Sequence, residues 1–165
     1  MTEIKTALPL QHRQAAAFGA LTVAAVALLA ARLPAANLSL IAAASPAVKI
    51  HIFAALAALL VGGVQMFGRK GGRAHRVIGW TWVVLMGTTA FGSLFIHGMN
   101  PHGFSLIHLL SGWTLAVLPL GVIFARRGQI KRHRRAMSGL YIGGLLIAGA
   151  FTFVPGRLMW QVFFG

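Results

Sequence analysis

Five long apolar segments constrain the fold more than any other feature of this sequence. They cover residues 15–31, 48–67, 77–97, 104–125 and 136–154. Hydrophobic residues make up 58% of the 165 residues and charged residues only 10%, whereas soluble domains normally contain about 25% charged residues. Because a helix of roughly 20 apolar residues crosses a bilayer, the pattern predicts an all-α polytopic membrane protein. We expect five transmembrane helices in a single domain, 1–165.

The charge distribution predicts how these helices are oriented. Fifteen Lys and Arg residues stand against one acidic residue, and ten of the fifteen lie in the loops 69–76 and 126–135. Basic loops stay on the cytoplasmic side of a membrane, so we expect the N-terminus inside and the C-terminus outside. The net charge of +14 then needs no nucleic-acid partner. It predicts contact with anionic lipid head groups on the cytoplasmic side.

The residues that are missing exclude several chemistries. The chain has no cysteine, which rules out disulfides, thiolate metal sites, iron–sulfur clusters and covalently attached c-type haem. Glu3 is the only carboxylate, which argues against carboxylate-based proton transport, paired-carboxylate hydrolysis and a di-iron carboxylate site. A non-covalent haem held by histidine is still compatible with this composition.

The histidines fall into two layers. One layer, near one end of the apolar segments, contains His51, His97, His102 and His108; the other, inside the basic loops, contains His75 and His133. The separations agree closely, with 57 residues from His51 to His108 and 58 from His75 to His133. This repeated spacing predicts two helical hairpins that together form a four-helix core. Each hairpin would carry one outer and one inner histidine. The first helix would then be peripheral.

Ionisable residues within membrane segments are functional candidates by default. We therefore expect His51 and His108 to be ligands. His75 and His133 lie in basic loops, but their matched positions, one turn before the third and fifth segments, lead us to expect them to be ligands too. His97 could take the place of His51 or flank the outer site, whereas His12 and His102 are predicted to be surface residues. Glycines of the last segment, Gly139, Gly143 and Gly144, predict close helix packing instead. No catalytic residue is predicted.

Several short motifs resemble a known family. They are Ile50-His51, Gly63-x-Gln65, His75-Arg76-x-x-Gly79-Trp80 and His133-Arg134-Arg135-x-Met137. Over roughly residues 48–154 the chain resembles the bacterial membrane proteins catalogued as domain of unknown function 2306. The resemblance implies a multi-pass protein of the bacterial inner membrane, and it implies no particular activity.

The layout is also similar to the transmembrane diheme b-type cytochromes, which take electrons from ascorbate or other donors, although those commonly have six helices. That similarity implies that His51 pairs with His108 outside and His75 with His133 inside, each pair holding the iron of a haem b. Lys49 and Arg76 lie beside these histidines and suit the anionic haem propionates. The chain would then be an electron-transfer protein or oxidoreductase subunit, with a donor and acceptor that the sequence does not identify.

Two other functions compete with this hypothesis. The first is a zinc or copper site at the outer face, built from His97, His102 and His108, because imidazole suits both metals. The second is a cofactor-free accessory or structural membrane protein whose histidines lie at the membrane interface.

Overall fold

The computed structural model describes residues 10–96 and 106–165, and these are almost entirely helical. The α-helices are α1 Leu10–Arg32, α2 Leu38–Ala43, α3 Pro46–Phe67, α4 Arg73–Ser93, α5 Leu106–Arg126, α6 Ile130–Gly139, α7 Ala148–Phe151 and α8 Leu158–Phe164. A 3-10 turn, Leu33–Ala35, follows α1, and a π-helical segment, Leu140–Ile147, joins α6 to α7. No strand occurs within the described ranges, so the all-α prediction is confirmed.

Local signals explain both ends of α3. The helix begins with Pro46 directly after Ser45, whose Oγ accepts a hydrogen bond from the Val48 amide at 3.4 Å. Proline suits a first helical position because its missing N–H has no partner there anyway. At the other end, the Lys70 ammonium donates to the carbonyls of Gln65 and Met66. These carbonyls belong to the last turn, where helical partners are missing.

The four core helices pack in a ring. α3 packs against α4, α4 against α5, and α5 against α6 and the π segment, which returns to contact α3. α3 and α5 therefore lie on one diagonal of the bundle, and α4 and α6 lie on the other. α1 packs against α3 from outside this ring. This is the four-helix core with a peripheral first helix that the histidine spacing predicted.

Two aromatic side chains fill the middle of the core. Trp82 is 4% exposed and donates its Nε1–H to the Ala58 carbonyl at 3.1 Å. Tyr141, in the π segment, is fully buried, and its hydroxyl donates to the Leu59 carbonyl at 3.2 Å. The same hydroxyl lies 2.5 Å from the Thr22 hydroxyl, which ties α1 to the bundle. Buried polar groups need such partners, because leaving them unpaired is costly.

The glycine packing differs from the prediction. A Cβ at Gly139 or Gly143 would have nothing within 4 Å, and one at Gly144 would make only ordinary contacts. The close approach predicted for Gly139 and Gly143 was therefore wrong, because these residues face open space. Close approach occurs instead at Gly62, where a Cβ would lie 2.5 Å from the Tyr141 ring, and at Gly121, where it would lie 2.1 Å from Met137 Cε.

The outer surface of the bundle is apolar. Large side chains such as Phe53, Val84, Leu109 and Phe151 are more than 60% exposed, and exposed apolar patches of this kind mark membrane or protein contact. Two described helices, Pro46–Phe67 and the Ile107–Arg126 part of α5, are long and apolar enough to cross a bilayer. The sequence predicted five such helices. α4 contains two arginines, and the last segment is divided among α6, the π segment and α7.

Candidate histidine sites

The inner histidines meet across one end of the bundle. His75 lies in the first turn of α4 and His133 in the first turn of α6, on the diagonal of the core. Their ring centroids are 6.5 Å apart, and the ring planes are nearly perpendicular, at 83°. Both side chains are half-buried. The structure therefore brings together two histidines that are 58 residues apart in the sequence.

A neighbouring helix orients the His133 ring. Its Nδ1 lies 2.9 Å from the Gly121 carbonyl of α5. Since a carbonyl only accepts, Nδ1 carries a proton, and the neutral form of this ring has its lone pair on Nε2, where a ligand can bind. Gly121 has no side chain, and the flexible end of the Met137 side chain from α6 occupies the place where its Cβ would lie.

His75 is held through its backbone and not through its ring. The Gln65 amide of α3 donates to the His75 carbonyl at 2.9 Å. The ring atom Nδ1 is buried and has no hydrogen-bond partner among the described residues. Burial, followed by the positive charges of Lys70 and His133, lowers the pKa of His75. These effects favour neutral imidazole, the form that binds metals.

The outer histidines lie at the opposite end, on the other diagonal. His51 Nδ1 lies 2.9 Å from the Thr89 carbonyl of α4 and must donate to it, so its Nε2 is also left as an acceptor. His108 is buried, with 7% of its surface exposed. A hydrogen bond between Ser93 and Ser111 joins α4 to α5 near this level. The structure thus places both outer histidines at one end of diagonal helices.

The backbone anchors give the separation of the two levels. Thr89, which binds His51, lies 14 residues after His75 on α4, and Gly121, which binds His133, lies 13 residues after His108 on α5. At about 1.5 Å per residue, these are roughly 21 Å and 20 Å. At the same rise, the 22 residues from His75 to His97 would span about 33 Å if all were helical. The two histidine levels are closer than this because the anchor of His51, Thr89, lies four residues before the end of α4.

Of the other predicted site residues, two lie near their histidines and two lie outside the described part of the chain. Lys49 is half-buried in the first turn of α3, and Arg76 is exposed beside His75, so each lies near its histidine. His97 and His102 lie outside the described residues, and so does the outer metal site that needs them. Within residues 10–96 and 106–165, no three His, Cys, Asp or Glu residues come together.

Several polar residues near the outer level were missed from the sequence. Thr89, Ser93, Ser111 and Thr114 are all buried. Thr89 and Ser93 are four residues apart on α4, and Ser111 follows His108 by three residues on α5. Residues at these spacings share a helix face, so a polar stripe within an apolar segment was the available signal. The Thr89 and Gly121 carbonyls have no sequence signal of this kind.

The fold and these sites define a class of protein. The chain is a helix bundle with an apolar outer surface, buried polar groups, two histidines in contact at one end and two further histidines towards the other, as expected of a membrane protein. The chain belongs to the predicted membrane protein family DUF2306, whose model matches residues 48–165. The match contains His51, His75, His108 and His133 and leaves α1 and α2 outside. The resemblance seen in the motifs is confirmed.

No curated protein and no solved structure matches the chain.

Proposed function

We propose that this chain is a haem b-binding membrane protein that moves electrons within or across the membrane. The contact between His75 and His133 carries the proposal. The two ring centroids are 6.5 Å apart, so two imidazoles from different hairpins lie close enough for both to hold one metal centre. The Nδ1 atom of His75 is buried and has no hydrogen-bond partner within the described part of the chain. A bound group in contact with this ring would explain why no protein atom there pairs with it.

The number of ligands favours haem over a bare metal ion. Catalytic zinc sites use three protein ligands and structural sites use four, whereas a haem takes two axial ligands. His75 and His133 are in contact, and no third His, Cys, Asp or Glu residue joins them within the described ranges. Bound haem would supply one-electron chemistry, with both histidines of a pair as its protein ligands.

The protein residues would hold, orient and neutralise the group. His51 and His133 are oriented by backbone carbonyls, the usual outer partners of metal-binding histidines. Arg76 on the inner side and Lys49 on the outer side would bind propionates. The proposed pairs are His75 with His133 and His51 with His108. The level between them is filled by Trp82, Met86 and Tyr141, so the two sites would be separate.

A haem titration tests this proposal. The wild type, expressed with ample haem, should bind two haems per chain by pyridine haemochrome assay and show a sharp visible band on dithionite reduction. His133→Ala should remove about half the haem, and His108→Ala should remove the other half, because each iron needs both of its axial ligands. His102→Ala is the control and should keep both haems.

The outcomes separate the competing functions. A colourless wild type would refute the haem proposal and favour the cofactor-free accessory protein. Loss of haem with His51→Ala or His108→Ala, without any effect of His75→Ala or His133→Ala, would leave an outer site alone. The inner histidines would then be ordinary residues of a basic loop.

The membrane topology is part of the same proposal. We propose five membrane-crossing helices in the bacterial inner membrane, with the N-terminus cytoplasmic, the C-terminus outside, and the basic loops against anionic lipid head groups. The asymmetry of basic residues supports this orientation. Because the chain has no cysteine, Gly72→Cys and Ala43→Cys can be labelled without background. They should react from opposite sides of the membrane, and reaction from the same side would contradict the topology.

A further inference from the structure

A groove runs along the outside of the bundle between α5 and the helix made of α6 and the π segment. Its volume is about 320 Å³, at the lower end of the range for small-molecule sites. Four apolar side chains and two arginines define it: Trp113, Val117, Leu120, Phe124, Arg132 and Arg135. The groove is distinct from both histidine sites, because none of the four paired histidines lines it.

The groove is charged at one end only. Arg132 and Arg135 lie in the first turns of α6, where the cytoplasmic loop meets the helices. Arg132 is placed by its neighbours: its guanidinium lies 6.0 Å from the Phe124 ring centre, and its Nη1 donates to Gln129 Oε1 at 3.1 Å. The part of the chain that the structure describes contains no carboxylate side chain, since the only acidic residue is Glu3. We therefore expect the anionic group that pairs with these arginines to come from outside the described part of the chain.

The apolar part has the length of one membrane leaflet. Trp113 and Phe124 are 11 residues apart on α5, which is about 16 Å along a helix. The hydrocarbon core of a bilayer is about 30 Å thick, so one leaflet is about half of that. Gly139 also lines the groove, and a Cβ there would meet nothing within 4 Å. Trp113, at the far end, is 63% exposed.

We propose that this groove binds one anionic phospholipid of the inner leaflet. The phosphate would bind Arg132 and Arg135, and an acyl chain would lie along Trp113, Val117 and Leu120. Basic pockets between transmembrane helices on the cytoplasmic side are where anionic head groups bind. A second copy of this chain fits less well, since its +14 charge would face the same two arginines. The site goes beyond the general contact of basic loops with lipid, and it does not depend on haem.

Lipid binding to the purified full-length protein tests the charged end. In a neutral detergent, the protein should bind fluorescent phosphatidylglycerol more tightly than phosphatidylcholine. Arg132→Gln with Arg135→Gln should weaken phosphatidylglycerol binding by about thirty-fold, from the typical contribution of two basic residues near anionic lipid. Arg69→Gln with Arg73→Gln is the matched control, because it removes the same charge at the same end but away from the groove. Equal losses in both variants would show diffuse electrostatic attraction and overturn the proposal.

A steric pair of variants tests the apolar end and identifies the source of the phosphate. Gly139→Leu should fill the groove without changing charge and should weaken phosphatidylglycerol binding. Gly149→Leu, at a position that is equally open but outside the groove, should bind like the wild type. Glycerol phosphate, which has no acyl chain, should bind the wild type and Gly139→Leu alike. If phosphatidylglycerol bound Gly139→Leu as well as the wild type, the acyl chain would not lie in the groove and the proposal would fail.

Discussion

The substitution Gly62→Ala tests whether the aromatic centre of the bundle is packed as described. Its Cβ would lie 2.5 Å from Tyr141 Cε2 and 2.6 Å from Trp82 Nε1, whereas nonbonded carbon contacts normally lie at about 3.5–4.0 Å. Both aromatic rings are almost fully buried, and each is held by a hydrogen bond to an α3 carbonyl. Neither ring can move away by about 1 Å without disturbing its neighbours.

Three terms decide the size of the effect. Overpacking a well-packed core costs about 1–3 kcal/mol, and loss of the Trp82 hydrogen bond costs about 0.5–1.5 kcal/mol. Alanine is favoured over glycine in a helix by about 1 kcal/mol, which offsets part of this. The net loss is therefore about 1–3 kcal/mol. For a chain of this size, it corresponds to a melting temperature lower by about 3–10 °C.

Thermal melts in detergent, followed by helical circular dichroism, measure this loss. Gly149→Ala is the matched control: it makes the same chemical change in a helix where a Cβ would meet nothing within 4 Å. It should melt at or above the wild-type temperature, because only the helix preference acts. A Gly62→Ala protein that melted as high as Gly149→Ala would refute the packing of Trp82 and Tyr141 against α3.

Three further predictions follow from the same contacts. Tyr141→Phe removes the hydroxyl that joins Thr22 to Leu59, so it should cost about 1 kcal/mol and speed proteolysis at the α1–α3 connection. Gly143→Leu should leave the melting temperature near wild type, because its Cβ faces open space; a large drop would restore the glycine contact predicted from the sequence. In haem-free protein, stability should fall as pH drops below about 6.5, because the unfolded chain protonates His75 near 6.5 while burial, Lys70 and His133 lower its pKa in the fold. Melts at several pH values should show this fall in the wild type and less of it in His75→Gln.

Helix positions could be predicted because they depend on segment length and composition. α3, α4 and α5 overlap the predicted segments 48–67, 77–97 and 104–125 over most of their length. The placement of histidines towards both ends of the bundle was predictable as well, because a spacing of 57 and 58 residues repeats over two hairpins. The spacing alone did not show which helices face each other, and the expected pairing of His75 with His133 came only from the similarity to diheme cytochromes. The 6.5 Å approach of His75 and His133 depends on the diagonal placement of α4 and α6.

The errors had a physical origin in side-chain packing. A run of glycines predicts close approach on average, but it does not say which face of a helix meets a neighbour. Gly139 and Gly143 face outward, while Gly62 takes the close contact because Tyr141 and Trp82 point at it. The π segment had no signal in the sequence either. π-helical turns often occur at functional sites, and this one places the Tyr141 hydroxyl between α1 and α3.

The scarcity of carboxylates explains how the histidines are oriented. In many metal sites a carboxylate or a carbonyl fixes the outer nitrogen of a histidine, and this chain has Glu3 as its only carboxylate. His51 and His133 use carbonyls of adjacent helices instead. Their ring orientation therefore depends on helix packing, as at Gly121, where Met137 closes the contact. A substitution that moves α6 away from α5 should thus disturb the inner pair even though it touches neither imidazole.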